Sequence, residues 1–315
     1  ITTNTGSRFG YLQISADVTF STNIDAVYYI GLNDVVLNIG ANTLYVKENW
    51  QFDGTNSFTL NHDPGALIDF PYPGTLYFGA NGGEVYPEVR ISGGGNASFY
   101  GSIYFGEELN IDDGQLNASD VYMYFTGANG INVSNGASLA IFGSSGLNFD
   151  VGQISSDGSV LFQGWNWESF VSVTGNGFTI ESAGGSAEIG ASYTSFSGLG
   201  GNGISILGGS VSSTHNFSNT RFSGNGTALL TFGDVDVTDP IAGAEFYSGP
   251  TYNVQKLAGS QTVTFFNATG DLAGEEFENQ LSGNILWTYL QNAISFTGTE
   301  YVTGDGISLP QGNSP

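Results

Sequence analysis

A short phrase returns along the middle of this chain at nearly constant spacing: a β-branched residue, one to three small polar residues, then glycine. Ile91-Ser92-Gly93, Ile111-Asp112-Asp113-Gly114, Val133-Ser134-Asn135-Gly136, Ile154-Ser155-Ser156-Asp157-Gly158 and Val173-Thr174-Gly175 follow one another at steps of about 20, 22, 21 and 19 residues. A period near twenty accommodates three short strands and three corners, which bring the chain back above its starting point. One such coil cannot bury its own apolar face, whereas stacked coils can, so the period predicts a solenoid. Glycine and asparagine serve the corners because they accept left-handed backbone, while Val, Ile and Phe at equivalent positions stack into a core.

The rhythm continues with a changed phrase at Phe196-Ser197-Gly198, Phe222-Ser223-Gly224 and Phe246-Tyr247-Ser248-Gly249, at steps of about 26 and 24. Earlier turns of the same kind are expected at Ile39-Gly40, Leu60-Asn61 and Phe78-Gly79. Composition agrees: 48 Gly, 23 Phe and 16 Tyr accompany only 11% charged residues, against roughly 25% in an average domain. Helix formers are scarce, and strand and turn residues dominate. The expected fold is all-β, a parallel β-helix of about a dozen coils over residues 34–296. A strand-rich extension or cap is expected over 1–33 and a tail over 297–315. Ile285, Leu286, Tyr289, Leu290, Ala293 and Ile294 fall at helical spacing and allow a capping helix, although Trp287-Thr288-Tyr289 reads equally well as strand.

Twenty-nine acidic residues against five basic ones give a net charge of −24. Phosphate backbones and anionic membranes are bound mainly by Lys and Arg, so nucleic acid is not an expected partner. No apolar run is long enough for a spanning helix, and cysteine is absent. The start at Ile1, without methionine or a basic-then-apolar leader, reads as a processed mature end or a fragment more readily than as a cytoplasmic start. Together with the Ser/Thr/Asn-rich, Lys-poor composition it points to an extracellular or cell-surface address.

Phe222-Ser223-Gly224-Asn225-Gly226, followed by Thr227-Ala228-Leu229-Leu230, and the run Gln261-Thr262-Val263-Thr264-Phe265-Phe266-Asn267 carry a resemblance. The pattern resembles the right-handed parallel β-helix repeat of secreted bacterial and archaeal surface proteins, the architecture shared with pectate lyases, over about residues 34–287. That resemblance implies a fold more than an activity. Enzymes of this architecture use clustered carboxylates with calcium and a basic residue, or aspartates with Gly-His-Gly and Arg-Ile-Lys motifs. Here Asp112-Asp113 is the one adjacent aspartate pair and falls in a corner slot, while His62 and His215 stand outside such motifs. No catalytic set is expected.

Three groups of candidate site residues remain. Trp165 and Trp167, with Tyr100, Tyr104, Tyr122 and Tyr124 nearby, suit a sugar-stacking platform, although strand alternation turns about half of such rings inward. Asp234, Asp236 and Asp239 offer hard oxygen ligands to Ca²⁺, with an exposed strand face and turn as the plainer alternative; no other cofactor is expected. Asn96, Asn117, Asn132, Asn216, Asn225 and Asn267 fit the glycosylation pattern. The leading functional expectation is a secreted structural subunit that assembles end to end with copies of itself into a filament, sheath or surface layer. A glycan-binding adhesin comes second and a polysaccharide lyase or hydrolase third.

Overall fold

The computed structural model describes residues 9–14, 16–32, 35–52, 59–71, 75–247 and 249–288. They form a parallel β-solenoid of about ten turns, with one single-turn helix at Glu275–Phe277. All pairings between strands are parallel, and among the described residues the antiparallel bridge Asn166–Ser169 stands alone.

Each turn passes three faces. The first carries Leu109–Ile111, Ile131–Val133 and Gln153–Ser156 and the second Gln115–Ser119, Ser138–Phe142 and Ser159–Gln163. The third carries Tyr122–Phe125, Gly146–Phe149 and the start of Val171–Ser182. Alternation sends every second side chain inward. On the first face the inward row runs Ile68, Val89, Leu109, Ile131, Ile154, Ile180, Ile204, Leu230, Val254, each opposite the next and all buried. Burying such a side chain contributes about 1.5–3 kcal/mol, so the ladder of equivalents is the stabilising element.

Phenylalanines stack inside the tube in the same way. Phe105, Phe125, Phe149 and Phe178 form one column, with centroids 4.7, 4.9 and 5.6 Å apart. Phe196, Phe222 and Phe246 form another at 5.8 and 5.3 Å. In the latter the spacing read from the sequence is the structural register itself.

The strands expected as a separate extension over 1–33 are rungs of the same ladder. Phe9–Ile14 pairs with Ile24–Leu32, which pairs with Thr43–Phe52, so pairing runs across the expected boundary without a break. At the other end Asn284–Thr288 is a strand on Thr262–Phe266 and not the start of a helix. The tail over 297–315, and Tyr289, Leu290, Ala293 and Ile294, lie outside the described residues.

The interior changes character near that end. The inward row Ile206, Phe232 continues as Lys256, and the register then reaches Gln280, which is exposed. Lys256 is fully buried and donates to the carbonyls of Gly233, at 2.5 Å, and Ala258. Burial draws its pKa down, and the nearby Asp234 and Asp236 carboxylates pull the other way. Glu278 and Gln280 bond to each other, to the Trp287 indole N–H (2.6 Å) and to the Ile285 N–H (3.1 Å). The last first-face rung among the described residues is therefore hydrogen-bonded to itself, with Glu278 in the slot that Ile204, Leu230 and Val254 fill in the three turns before it.

Candidate functional site

Of the aromatic residues singled out in the sequence, Tyr100 lies at the corner before the third face, and Tyr104, Tyr122 and Tyr124 lie on that face. Outward positions there form two rows parallel to the rod axis. One row runs Tyr122, Gly146, Ser172, Ser195, Arg221, Glu245 and the other Tyr104, Tyr124, Asn148, Thr174, Ser197, Ser223, Tyr247. Tyr104 and Tyr124 stack at 4.5 Å with an interplanar angle of 9°. Tyr122 lies flat over Gly146, where an added Cβ would come within 2.6 Å of the ring. Asn148 donates to the Thr174 hydroxyl at 2.8 Å. Beyond the tyrosines these residues, with Asp150 and Asn176, line a shallow groove of about 470 Å³.

Trp165 and Trp167 stand at the entry edge of this face. The connection from Ser159–Gln163 to Val171–Ser182 is longer than its equivalents one turn away, and the extra residues close a tight turn. Trp165 N–H donates to the Ser169 carbonyl at 2.8 Å, and Asn166 Oδ1 accepts from the N–H groups of Glu168 (2.8 Å) and Ser169 (2.9 Å). An Asn side chain that bonds backbone two and three residues on makes such a turn self-sufficient. The turn holds Trp165 60% exposed, with its indole nitrogen over Gly143.

Trp167 packs inward from the same turn. Its ring lies 3.8 Å from the Arg221 guanidinium carbon, 5.8 Å from Phe170 and 6.0 Å, edge to face, from Tyr193. Tyr193 occupies a one-residue corner at φ 45°, a left-handed conformation that costs a non-glycine residue energy and is held here by its neighbours. Arg221 Nε donates to Glu245 Oε2 at 2.9 Å, and the Tyr247 hydroxyl donates to the same oxygen at 2.7 Å. The carboxylate raises the Tyr247 pKa by accepting that bond, so the phenol stays protonated. Trp165 is thus free for a partner, whereas Trp167 is the platform under Arg221.

The calcium candidates are not gathered. Asp234 and Asp236 are exposed on either side of buried Val235, and Asp239 is exposed at the turn before Pro240. Among the described residues no group of three or more His, Asp and Glu side chains is placed to hold a metal ion. The charges of Asp234 and Asp236 instead act on the Lys256 ammonium, raising its pKa against the effect of burial.

Of the glycosylation candidates, Asn96 and Asn225 are exposed. Asn132 donates to Asn110 (2.8 Å) and Glu108 (3.0 Å), and Asn117 accepts from Gln115 (2.9 Å). Asn216 is buried and donates to the carbonyls of Asp239 and Pro240. Asn267 is half-buried at φ 50°.

Two polar groups were missed in the sequence. Ser92 donates to buried Asp69 at 2.6 Å, beside Arg90, which bonds Glu88 at 2.6 Å and lies 3.5 Å from Asp112. These residues share a corner only through the register, which one sequence does not display. Ser192 Oγ lies 3.1 Å from His215 Nδ1, because a bulge in Ser210–Asn216 brings the imidazole over the preceding rung. Burial lowers the His215 pKa against the pull of Glu188, so the ring is neutral at neutral pH. Among the described residues no carboxylate hydrogen-bonds the imidazole, and the pair serves to fasten the bulge.

Asp69 supplies a test of this electrostatic picture. Desolvation by burial raises its pKa, partly offset by the Ser92 hydroxyl and Arg90. Between the unfolded aspartate value of about 3.9 and the higher folded value, the native state holds more protons than the unfolded one. Stability is therefore lost as pH rises through that window. Asp69→Asn should melt higher than wild type at neutral pH, and the gain should vanish below the ordinary aspartate range. A series of thermal melts against pH reads both; a gain that grew on acidification would refute the assignment.

No helix among the described residues is long and apolar enough to cross a membrane. Comparison with protein-family models, with curated proteins and with solved structures gives no match, so the function has to be argued from the solenoid and its third face.

Proposed function

We propose that this chain is a non-catalytic binding rod that holds a glycan on its third face, the second of the functional expectations and not the first. The observation that supports the reading is Trp165: a large ring left exposed on a turn whose own hydrogen bonds are complete, at the edge of a face carrying stacked Tyr104 and Tyr124. Aromatic faces on rigid backbone offer apolar area at low entropic cost, and neighbouring hydroxyl and amide groups fix orientation. An extracellular or cell-surface address goes with this role and with the composition.

Trp165→Ala should weaken glycan binding about tenfold, roughly 1.4 kcal/mol, with stability unchanged within about 0.5 kcal/mol because the ring supports nothing else. Glycan-array screening followed by calorimetry on both proteins tests this. Equal binding by the variant, or no glycan bound by the wild type, counts against the reading.

The filament subunit remains a second reading on one observation. Among the described residues Phe9–Ile14 is paired along one side only, by Ile24–Leu32, and an unpaired strand edge is a template for another chain. Against it stands the polar rung at Glu278–Gln280, the last on the first face among the described residues, whose charged and amide groups are already bonded internally.

A further inference from the structure

We infer that the third face takes an uncharged polysaccharide laid along the rod axis, about one sugar ring per rung; this rests on the glycan reading above and narrows it. Direction follows from the register. Tyr122–Phe125 and its equivalents are short, with inward residues at every second position, so only two outward side chains span the face. Along the axis the outward row continues through Tyr124, Asn148, Thr174, Ser197 and Ser223. The face is bounded by the Trp165 turn where the chain enters it and by the corner at Asp150 and Asn176 where the chain leaves. A linear polymer crossing the face would have to pass over both corners, while one running along it lies between them, with the exposed Trp165 ring beside it. Rungs repeat every 4.7–4.9 Å or so, close to the length of one sugar in an extended chain, so successive rings meet equivalent groups.

Charge selects the class. Of the described basic residues, Lys47 and Lys256 are buried, and Arg90 pairs with Glu88 on the first face. Arg221 is the cation on the third face, and its guanidinium is engaged by Glu245 and stacked on Trp167. Asp150 is the charged residue lining the groove. A uronate or sulfated chain would therefore approach a molecule of net charge −24 with no uncommitted cation on the third face among the described residues. Hydroxyl and amide side chains both donate and accept, as a neutral sugar does.

The test is calorimetry and tryptophan fluorescence at about 0.15 M salt, where surface charges are screened beyond roughly 8 Å. The probes are glucan, mannan and galactan oligosaccharides of increasing length, polygalacturonate and chitosan. Neutral oligosaccharides should bind with affinity that climbs with length over several units, independently of salt, and that falls about tenfold in Trp165→Ala and in Tyr124→Ala. Thermal melts check that both variants remain folded. Polygalacturonate or chitosan binding better than every neutral chain, yet losing affinity in Trp165→Ala, would overturn this inference and leave the glycan reading standing. Neutral binding that saturates at a disaccharide would overturn the axial placement. Absence of binding by all probes would overturn both.

Discussion

Replacing Phe149 by alanine should lower the free energy of unfolding by about 3–5 kcal/mol, at the upper end for a buried aromatic. The ring is 1% exposed and lies between Phe125 and Phe178, so truncation removes two stacked contacts together with the buried area. Collapse around the hole is restricted, because Phe125, Phe149 and Gly175 occupy hydrogen-bonded registers that fix the rung spacing. Urea unfolding followed by circular dichroism should show the midpoint falling, with Thr174→Ala on the outer side of the same face as a control. Each rung touches chiefly its neighbours, so a weakened rung also allows the two halves of the rod to melt apart. A loss under about 1 kcal/mol would mean that the interior is not packed as a column.

Gly198→Ala should cost about 3–4 kcal/mol, a size usually reserved for core cavities. Gly198 has φ +86°, and a Cβ there would lie 1.9 Å from the Gly175 carbonyl oxygen of the preceding turn. The methyl group leaves two outcomes, a shifted corner or a widened rung, and either breaks pairing. Gly136 separates the two sources of cost: its φ is +85°, but nothing lies within 4 Å of its added Cβ. Gly136→Ala should therefore lose only the left-handed penalty of about 1–2 kcal/mol. Equal losses at the two positions would show that turn conformation, and not contact between turns, governs the corners.

The coil itself was legible because its determinants are periodic. Ile91, Ile111 and Val133 are true equivalents, as are Phe196, Phe222 and Phe246. The phrase misleads where coil length changes. Ile154 pairs with Ile131, not Val133, and the inward slot opposite Val133 belongs to Ser156, buried with its hydroxyl on the Gly158 carbonyl at 2.9 Å. Val173 belongs to another face, opposite Leu147. A buried serine that satisfies itself locally breaks hydrophobic periodicity without breaking the ladder, so pattern matching slips by two residues there. The aromatic face was half legible: Trp165 and Trp167 were found, but no pattern along the chain tells that one ring is free and the other lies under Arg221. That distinction arises from a contact between turns, as do Ser92 with Asp69 and His215 with Ser192.

The Trp165 turn leaves the rod at a corner and rejoins it with both flanking strands still in register. Closing a somewhat longer loop between fixed ends costs little, since the entropy grows only with the logarithm of its length. What the corner displays is consequently decoupled from what keeps the rod upright: corner segments can be exchanged, lengthened or grafted while the stacked rungs stay as they are, so the rod is a pegboard on which side-chain groups can be hung one turn at a time.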